Sequence, residues 1–300
     1  MQIRTATPAD APAVVALRAV VYPYLVRSVA STRQMIAEPV PNAGWLPYVA
    51  ELDGRVVGWV TASLNTMTSE PAFGEISLLH VHPDHRGNGI GTALLDTATA
   101  HLRRLGASRA RAWAQEGSLG FARRHGFTPG RQLRYAALEL STAPVGPVPA
   151  GVRLRPLSEL EPEAMYEAYV AAAADEPGDV PGDGIGYQTW RYEVWDNLGL
   201  DRAASVAAVA DSADPAVLAF TLVKRDGERM WSDMTATRPE HRGRGLARAV
   251  KVAALRRAAE RGVTVAYTSN DETNAPMLAV NARLGYRPVD TQWSCVAPLG

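Results

Sequence analysis

Cysteine is nearly missing from this chain. Cys295 is the single one among 300 residues, so no intramolecular disulfide can form, as expected of a protein from a reducing compartment. A lone cysteine near the C-terminus reads as a small packed hydrophobe rather than a nucleophile. Net charge is missing too: 31 Lys plus Arg offset 31 Asp plus Glu. That balance removes the broad attraction that drives binding to a phosphate backbone or an anionic membrane surface, and sets nucleic acid aside as a partner. No apolar run approaches the roughly 20 residues that span a bilayer. The opening Met1-Gln2-Ile3-Arg4-Thr5-Ala6 has no basic segment followed by an apolar core, so it does not read as a signal peptide. Together these absences set a membrane partner aside and lead to the expectation of a soluble cytoplasmic protein.

What is present is a chain twice the usual domain length, 47% hydrophobic, able to bury two ordinary cores. The Pro- and Gly-rich segment 141–151 has no apolar period and reads as a linker. It divides the chain into an N-terminal domain, 1–140, and a C-terminal domain, 152–300. The most informative feature is a repeat: Pro83-Asp84-His85-Arg86-Gly87-Asn88-Gly89-Ile90-Gly91 recurs as Pro239-Glu240-His241-Arg242-Gly243-Arg244-Gly245-Leu246-Ala247. Its period is a whole domain, which implies duplication and not a solenoid.

The flanks repeat in the same order. Each half opens with a strand, Met1 to Thr5 and Val152 to Arg155. A hairpin follows, around Asp53-Gly54 in one half and Asp226-Gly227 in the other. A strand then enters the repeated turn, 75–81 and 231–237. An apolar-periodic helix leaves it, 92–105 and 247–261, each closed by glycine, Gly106 and Gly262. Another strand, 109–114 and 263–268, and a second helix complete each mixed α/β unit.

A strand that stops at a glycine-rich turn and enters a helix leaves backbone N–H groups unpaired where the peptide dipoles favour negative charge. Arg86 and Arg242 can add charge-assisted hydrogen bonds, and Gly87, Gly89, Gly243 and Gly245 let the backbone approach phosphate oxygens. The turn therefore suits a pyrophosphate. A mononucleotide P-loop would need a lysine that neither copy has, and a dinucleotide fingerprint would need a further glycine. The remaining alternative, a turn whose glycines only relieve strain, stays open for either copy alone.

These residues resemble the GNAT superfamily of acyl-CoA N-acyltransferases, whose hallmark Gln/Arg-x-x-Gly-x-Gly/Ala appears here as Arg86-x-x-Gly89-x-Gly91 and Arg242-x-x-Gly245-x-Ala247. Val81-His82-Pro83, Gly126-Phe127, Gly285-Tyr286 and Asn274 add to the match, and the two-copy layout is similar to that of tandem members. The resemblance implies an α/β (α+β) fold: two tandem GNAT-like domains, each a splayed, mostly antiparallel sheet flanked by helices. It implies acetyl-CoA as acyl donor, lying between the fourth and fifth strands. Its pantetheine arm would be held by His80 and Val81 or by Ala236 and Thr237. Its pyrophosphate would be held by Arg86, Gly87, Asn88, Gly89, Ile90, Gly91 and Thr92, or by Arg242, Gly243, Arg244, Gly245, Leu246 and Ala247, with Asn274 on the CoA arm.

An amine with an ordinary pKa of about 10.4 is almost wholly protonated at neutral pH, so acyl transfer to it is helped by a base. Glu75 stands at the spacing from Arg86 where the resemblance places a glutamate base; it reads equally as a solvent-facing strand-edge carboxylate. The corresponding residue of the second half is Trp231, and Asp233, on the same strand face, is the candidate there. Where many relatives hold a tyrosine acid, this chain has Ala122 and Asn281; Asn281 can hydrogen-bond sulfur. The implied activity is N-acetylation of a primary amine on a small molecule, a metabolite or antibiotic. The competing readings are a non-catalytic acyl-CoA-binding or drug-sequestering protein and an enzyme whose acyl donor is an acyl carrier protein. Four acidic residues between 175 and 186, beside Trp190, Tyr192 and Trp195, suit a cationic acceptor or form a solvated, flexible loop with the aromatics packed on the core. His80, His82 and His85 lack the cysteine or carboxylate company of a metal site, and no metal is expected.

Overall fold

The computed structural model describes residues 1–141, 144–173, 175–213 and 215–300; Thr142 and Ala143, inside the segment read as a linker, lie outside the described residues. The chain forms two compact units. Unit 1 is Met1–Leu133 with Asp290–Gly300, and unit 2 is Arg134–Val289. The units therefore depart from the division 1–140 and 152–300 at both seams.

Unit 1 opens with β1 (Gln2–Thr5), α1 (Ala11–Val21) and α2 (Val29–Ala37). Strands β2 (Leu46–Leu52), β3 (Arg55–Leu64) and β4 (Phe73–Val81) follow, then α3 (Ile90–Arg104), β5 (Arg109–Gln115), α4 (Leu119–Arg124) and β6 (Thr128–Glu139). Unit 2 repeats the plan with β7 (Val152–Pro156), α5 (Pro162–Ala173), and α6 (Tyr187–Trp190), which runs into a π turn at Arg191–Trp195. It continues with β8 (Val206–Ala210), β9 (Val217–Asp226), β10 (Arg229–Thr237), α7 (Leu246–Glu260), β11 (Val265–Asp271), α8 (Ala275–Leu284) and β12 (Arg287–Pro298).

The sheet of unit 1 runs β1-β2-β3-β4-β5-β12, and that of unit 2 runs β6-β11-β10-β9-β8-β7. β6 and β12 each straddle a seam between the units, and unit 1 takes its last strand, β12, from the far end of the chain. β12 pairs antiparallel with β5 from Gln292↔Gln115 to Pro298↔Arg109, and the chain after β6 stays in unit 2, where the Leu140 N–H donates to the Thr264 carbonyl (2.8 Å). Cys295, on β12, is fully buried in the unit 1 core, in keeping with a packed hydrophobe.

The helix that follows each glycine turn is seated by period. Ile90, Leu94, Ala98 and Leu102 fall four apart on α3, and Leu246, Val250, Ala254 and Ala258 do so on α7; all are buried. That stripe is the core-facing face of an amphipathic helix, with about 1.5–3 kcal/mol for each large apolar side chain removed from water. Gly106 (φ 80°) and Gly262 (φ 86°) follow the last turns in the left-handed region, as the sequence indicates.

The hairpins need a correction. Asp53 (φ 50°) and Gly54 (φ 74°) make a tight turn of left-handed residues between β2 and β3, as Asp-Gly predicts. The Asp226-Gly227 turn, read as its counterpart, instead joins β9 to β10, the place held by residues 65–72 between β3 and β4. The counterpart of the β2–β3 pair is β8 with β9. β8 escapes a sequence reading because Val206-Ala207-Ala208-Val209-Ala210 is buried on both faces and carries no alternation.

Candidate active site

In both units the strand before the turn parts from its parallel neighbour. β4 pairs with β5 only from Phe73↔Arg109 to Ile76↔Ala112, and β10 with β11 only from Arg229↔Val265 to Trp231↔Tyr267. Beyond those pairs the strands splay. The backbone of Ser77–Val81, or of Asp233–Thr237, is thereby released on that side, the Ser232 carbonyl still accepting from Thr268 Oγ1 (3.0 Å). A bulge marks each released stretch: the β3–β4 register shifts between Trp59 and Thr61, where Leu78 has φ 57°. The β9–β10 register shifts between Ser232 and Thr235, with Asp233 inside the shift. A bulge re-aims backbone groups and side chains at a sheet opening.

The turns have the same geometry. Gly87 and Gly89 have φ 81° and 77°, and Gly243 and Gly245 have φ 75° and 76°. A Cβ placed at any of the four would meet nothing within 4 Å. Their glycines are thus required by the left-handed backbone, and the space above them is open to a ligand. The first N–H to find a helical carbonyl is that of Ala93, donating to Gly89 (3.0 Å), and in the second copy that of Ala249, donating to Gly245 (3.1 Å). The N–H groups at the start of each helix are left for an anion. Arg86 Nε donates to the Val81 carbonyl (3.2 Å) and Arg242 Nε to the Thr237 carbonyl (3.3 Å), so each arginine is braced against the end of the strand before it. Arg242 also pairs with Asp175 (2.7 Å), and Arg244 meets His241 Nδ1 (3.1 Å). Ile90 and Leu246 point into the cores, so they offer a ligand only their backbone. Thr92 Oγ1 lies 3.3 Å from His125 Nε2, and Asn88 donates to the His85 carbonyl (3.4 Å). This cradle of free N–H groups, open space and arginine fits a pyrophosphate in both units.

The candidate catalytic residues fall in unlike settings. Glu75 lies before the splay, opposite Arg111, and accepts from Arg111 (2.6 and 3.1 Å) and from Asn65 (3.0 Å). Its carboxylate is held by a guanidinium fork on the neighbouring strand. Asp233 lies past the splay, pairs with Lys224 (2.7 Å) and accepts from Trp231 Nε1 (3.1 Å). Asn281 is buried on α8, donates to Asn270 Oδ1 (2.5 Å), and its own Oδ1 has no partner among the described residues. Asn274 caps α8, accepting from the Met277 N–H (3.2 Å). Ala236 and Thr237 end β10 as His80 and Val81 end β4. His80 is buried, and its pKa is pushed down to about 3 by that burial and by the charges of Arg18 and Arg86.

Among the aromatics beside the acidic run, Trp190 and Trp195 are buried. Trp190 packs among Tyr166, Tyr169, Tyr187 and Trp195, so these rings build core rather than an open cage. The phenol of Tyr169, on α5, is pushed up by burial and then by the charges of Glu176, Asp233 and Glu193.

Several groups carry no signal in a motif search. Asn270 becomes a site residue only once β11 brings it to Asn281. Lys251, fully buried on α7, donates to Ser232 Oγ (2.8 Å) and lies over the Tyr286 ring (5.4 Å); burial pushes its pKa down to about 7. Arg18 is the one charged residue of α1, which is its only mark in the sequence. Among the described residues no group of three or more His, Cys, Asp or Glu is placed to hold a metal ion, and no helix is long and apolar enough to cross a membrane.

The model of the acetyltransferase (GNAT) family matches residues 19–127 and 165–286, one match in each unit. The mycothiol acetyltransferase of Saccharomonospora viridis is 30% identical over 240 residues, covering 73% of this chain and 74% of that protein. That of Thermobispora bispora is 31% identical over 251 residues, 75% of each. Among solved structures, a tandem GNAT protein from the clavulanic acid biosynthesis pathway superposes with TM-score 0.76 at 23% identity, over 100% of this chain and 98% of that one. A GCN5-related N-acetyltransferase from Sphaerobacter thermophilus gives 0.73 at 21%, over 99% and 95%. With the splayed strands, the paired glycine turns and a family match in each half, this chain belongs to the GNAT acetyltransferase family and is an acyltransferase that carries the family's fold twice.

Proposed function

We propose that the protein transfers an acetyl group from acetyl-CoA to the primary amine of a small, cationic molecule, and that the transfer takes place in unit 2. The observation that carries this reading is Asp233, set inside the β10 bulge beside the released stretch, where its negative charge joins those of Glu176 and Glu193 in pushing the Tyr169 phenol up. Carboxylates gathered at a sheet opening attract an ammonium group and hold it by charge complementarity. The similarity to mycothiol acetyltransferases across both units supports a small-molecule acceptor.

Acetyl-CoA supplies an activated thioester whose thiolate is a fair leaving group. The turn of residues 242–247 would hold its pyrophosphate, the ends of Ala236 and Thr237 its pantetheine arm, and Asn274 the same arm from α8. Asp233 would bind the acceptor ammonium and take its proton, in reach of the bulge that holds it. Asn281, which gives one amide N–H to Asn270 Oδ1, would donate its second N–H to the sulfur as the C–S bond breaks and its charge develops, and the departing thiolate would take up the proton released by the amine. In unit 1 the same arrangement would bind acetyl-CoA through residues 86–92, with Glu75 held by the Arg111 fork and by Asn65, whereas Asp233 has the single lysine Lys224, which an acceptor ammonium would displace.

The test is acetyl-CoA turnover with a panel of amines at fixed ionic strength. Cationic small amines should be acetylated in preference to neutral ones. Asp233→Asn should remove that preference, whereas equal turnover of neutral and cationic acceptors by the wild type would overturn the reading.

A further inference from the structure

The first helix of each unit lies over the strand that enters the turn: α1 packs on β3 and β4, α5 on β9 and β10. Arg18 stands as far into α1 as Tyr169 into α5. Arg18 is 2% exposed, and its Nε, Nη1 and Nη2 have no hydrogen-bond partner among the described residues. Two further buried groups on the sheet beneath it share that state: His80 Nδ1 on β4 and Trp59 Nε1 on β3. Trp59 and His80 are cross-strand partners, so their side chains share one face. The rest of the wall is apolar: Val14 and Leu17 of α1 pack with Trp59 and Leu78, and Tyr22 lies against His80 (6.1 Å).

We propose that unit 1 holds a carboxylate-binding site beneath α1, in which the guanidinium of Arg18 receives the carboxylate of a small molecule and the indole N–H of Trp59 shares the same pocket wall. A buried guanidinium with all three nitrogens unspent is costly, because arginine keeps its proton and neither water nor protein offsets its charge. The neighbouring cations add to the cost. Burial and then Arg27 depress the Arg18 pKa to about 9, and Arg86 joins Arg18 in opposing a charge on His80. An anion answers every one of these terms. Its class follows from shape and charge. The planar fork of arginine matches the two oxygens of a carboxylate. A phosphate would bring a second charge into a wall of Val14, Leu17, Leu78 and Trp59, and its place in this unit is the turn of residues 86–92.

The experiment is thermal unfolding of the full chain titrated with acetate and propionate, with neutral acetamide and inorganic phosphate as comparison arms, at constant ionic strength. The carboxylates should raise Tm by a few degrees and saturate, as for any ligand held only by the folded state; acetamide should not. Arg18→Met should abolish the carboxylate response and, without ligand, melt at or above the wild-type temperature, since it replaces an unpaired buried charge by an apolar chain of like length. A wild type indifferent to carboxylates, or an Arg18→Met chain that still responds, would overturn the proposal. A phosphate response larger than that of the carboxylates and dependent on Arg18 would overturn its ligand class. Should Arg18→Met not fold, the His80 ring resonances of the wild type decide, assigned with His80→Gln. They should shift on acetate addition, and indifference would sink the site. None of these readouts needs acetyl-CoA or turnover, so this site and the transfer proposed for unit 2 stand or fall separately.

Discussion

The two units share a scaffold and differ in sign at its centre. Their glycine turns agree in backbone angle and bracing hydrogen bond, their helices bury matching stripes of side chains, and their sheets splay within one residue of the same place, after Ile76 and after Trp231. Yet at the same place on the first helix unit 1 has Arg18, with the charges of Arg27 and Arg86 acting on it or on His80, whereas unit 2 has Tyr169, on whose phenol the charges of Glu176, Asp233 and Glu193 act. Duplication of this fold thus keeps the half of the site that meets the shared part of a ligand, the backbone cradle. It leaves free the half that meets the variable part. Charge at that second place is the cheapest difference to acquire, since a few side chains on a helix, a strand and the loops beside them change it without altering a backbone hydrogen bond of the sheet.

The comparison breaks most sharply at the turns. Gly245→Val forces a β-branched residue into φ 76° and fills the open space above the helix start. It should cut acetyl transfer about 100-fold or more, the scale of losing preorganised backbone donors. Gly89→Val distorts unit 1 in the same way and should leave turnover within about 3-fold of wild type, a difference worth well under 1 kcal/mol. Steady-state kinetics of both variants check this; equal losses would mean that the units work together.

Next in size is the contrast between the two strand carboxylates. Asp233→Asn should lower kcat/KM about 100-fold, the lower end of what a positioned base contributes. Glu75→Gln breaks a fork with Arg111 in which both side chains are less than one-fifth exposed. It should instead cost about 1–3 kcal/mol of stability with kcat nearly unchanged. Chemical denaturation beside turnover separates the two, and a stable Glu75→Gln chain without activity would transfer the base to unit 1.

Much of this was legible before any coordinates. Gly87, Gly89, Gly243 and Gly245 declare themselves because a left-handed backbone leaves glycine as the residue of choice, and Asp53-Gly54 because its turn is local. The α3 and α7 stripes follow from period alone. What stayed hidden depends on contacts between distant segments. β12 reaching β5 leaves no mark in Arg287–Pro298 that a neighbour in sequence could reveal. Glu75 looks like a base by spacing, but its partner Arg111 is on another strand. Arg18 carries no motif, and its burial follows only from the packing of α1 on β3 and β4.

The units also differ in how buried cations answer pH. Both His80 and Lys251 have pKa values below their ordinary ones, so in each window the unfolded chain binds more protons than the folded one and stability rises with pH. For His80 the window runs from about 3 to 6.5: its contribution is whole above 6.5 and is lost as pH falls towards 3. For Lys251 it runs from about 7 to 10.5, so warming melts at pH 9.5 should occur higher than at pH 7.5 by an amount that Lys251→Met removes. The groups facing Lys251 are Ser232, which accepts its hydrogen bond, and Tyr286, whose phenol is itself pushed up by burial. A Lys251→Met chain with the wild-type pH dependence would show the amine to be charged and satisfied at pH 7.5.

The smallest effect is expected where the two turns already differ. Gly91 corresponds to Ala247, lies inside the first turn of α3 with an ordinary backbone, and an added Cβ there meets only the Phe121 ring at 3.5 Å and Val81 at 3.8 Å, ordinary contact distances. Gly91→Ala removes conformational freedom from the unfolded chain without strain in the folded one, and should stabilise unit 1 by about 0.5–1 kcal/mol. Acetyl-CoA affinity, read by calorimetric titration, should stay within about 2-fold, because the phosphate-facing glycines of the cradle are 87 and 89. A loss of affinity at Gly91→Ala would mean that the third glycine also lies under the ligand, and that Ala247 then makes the second cradle the looser of the two.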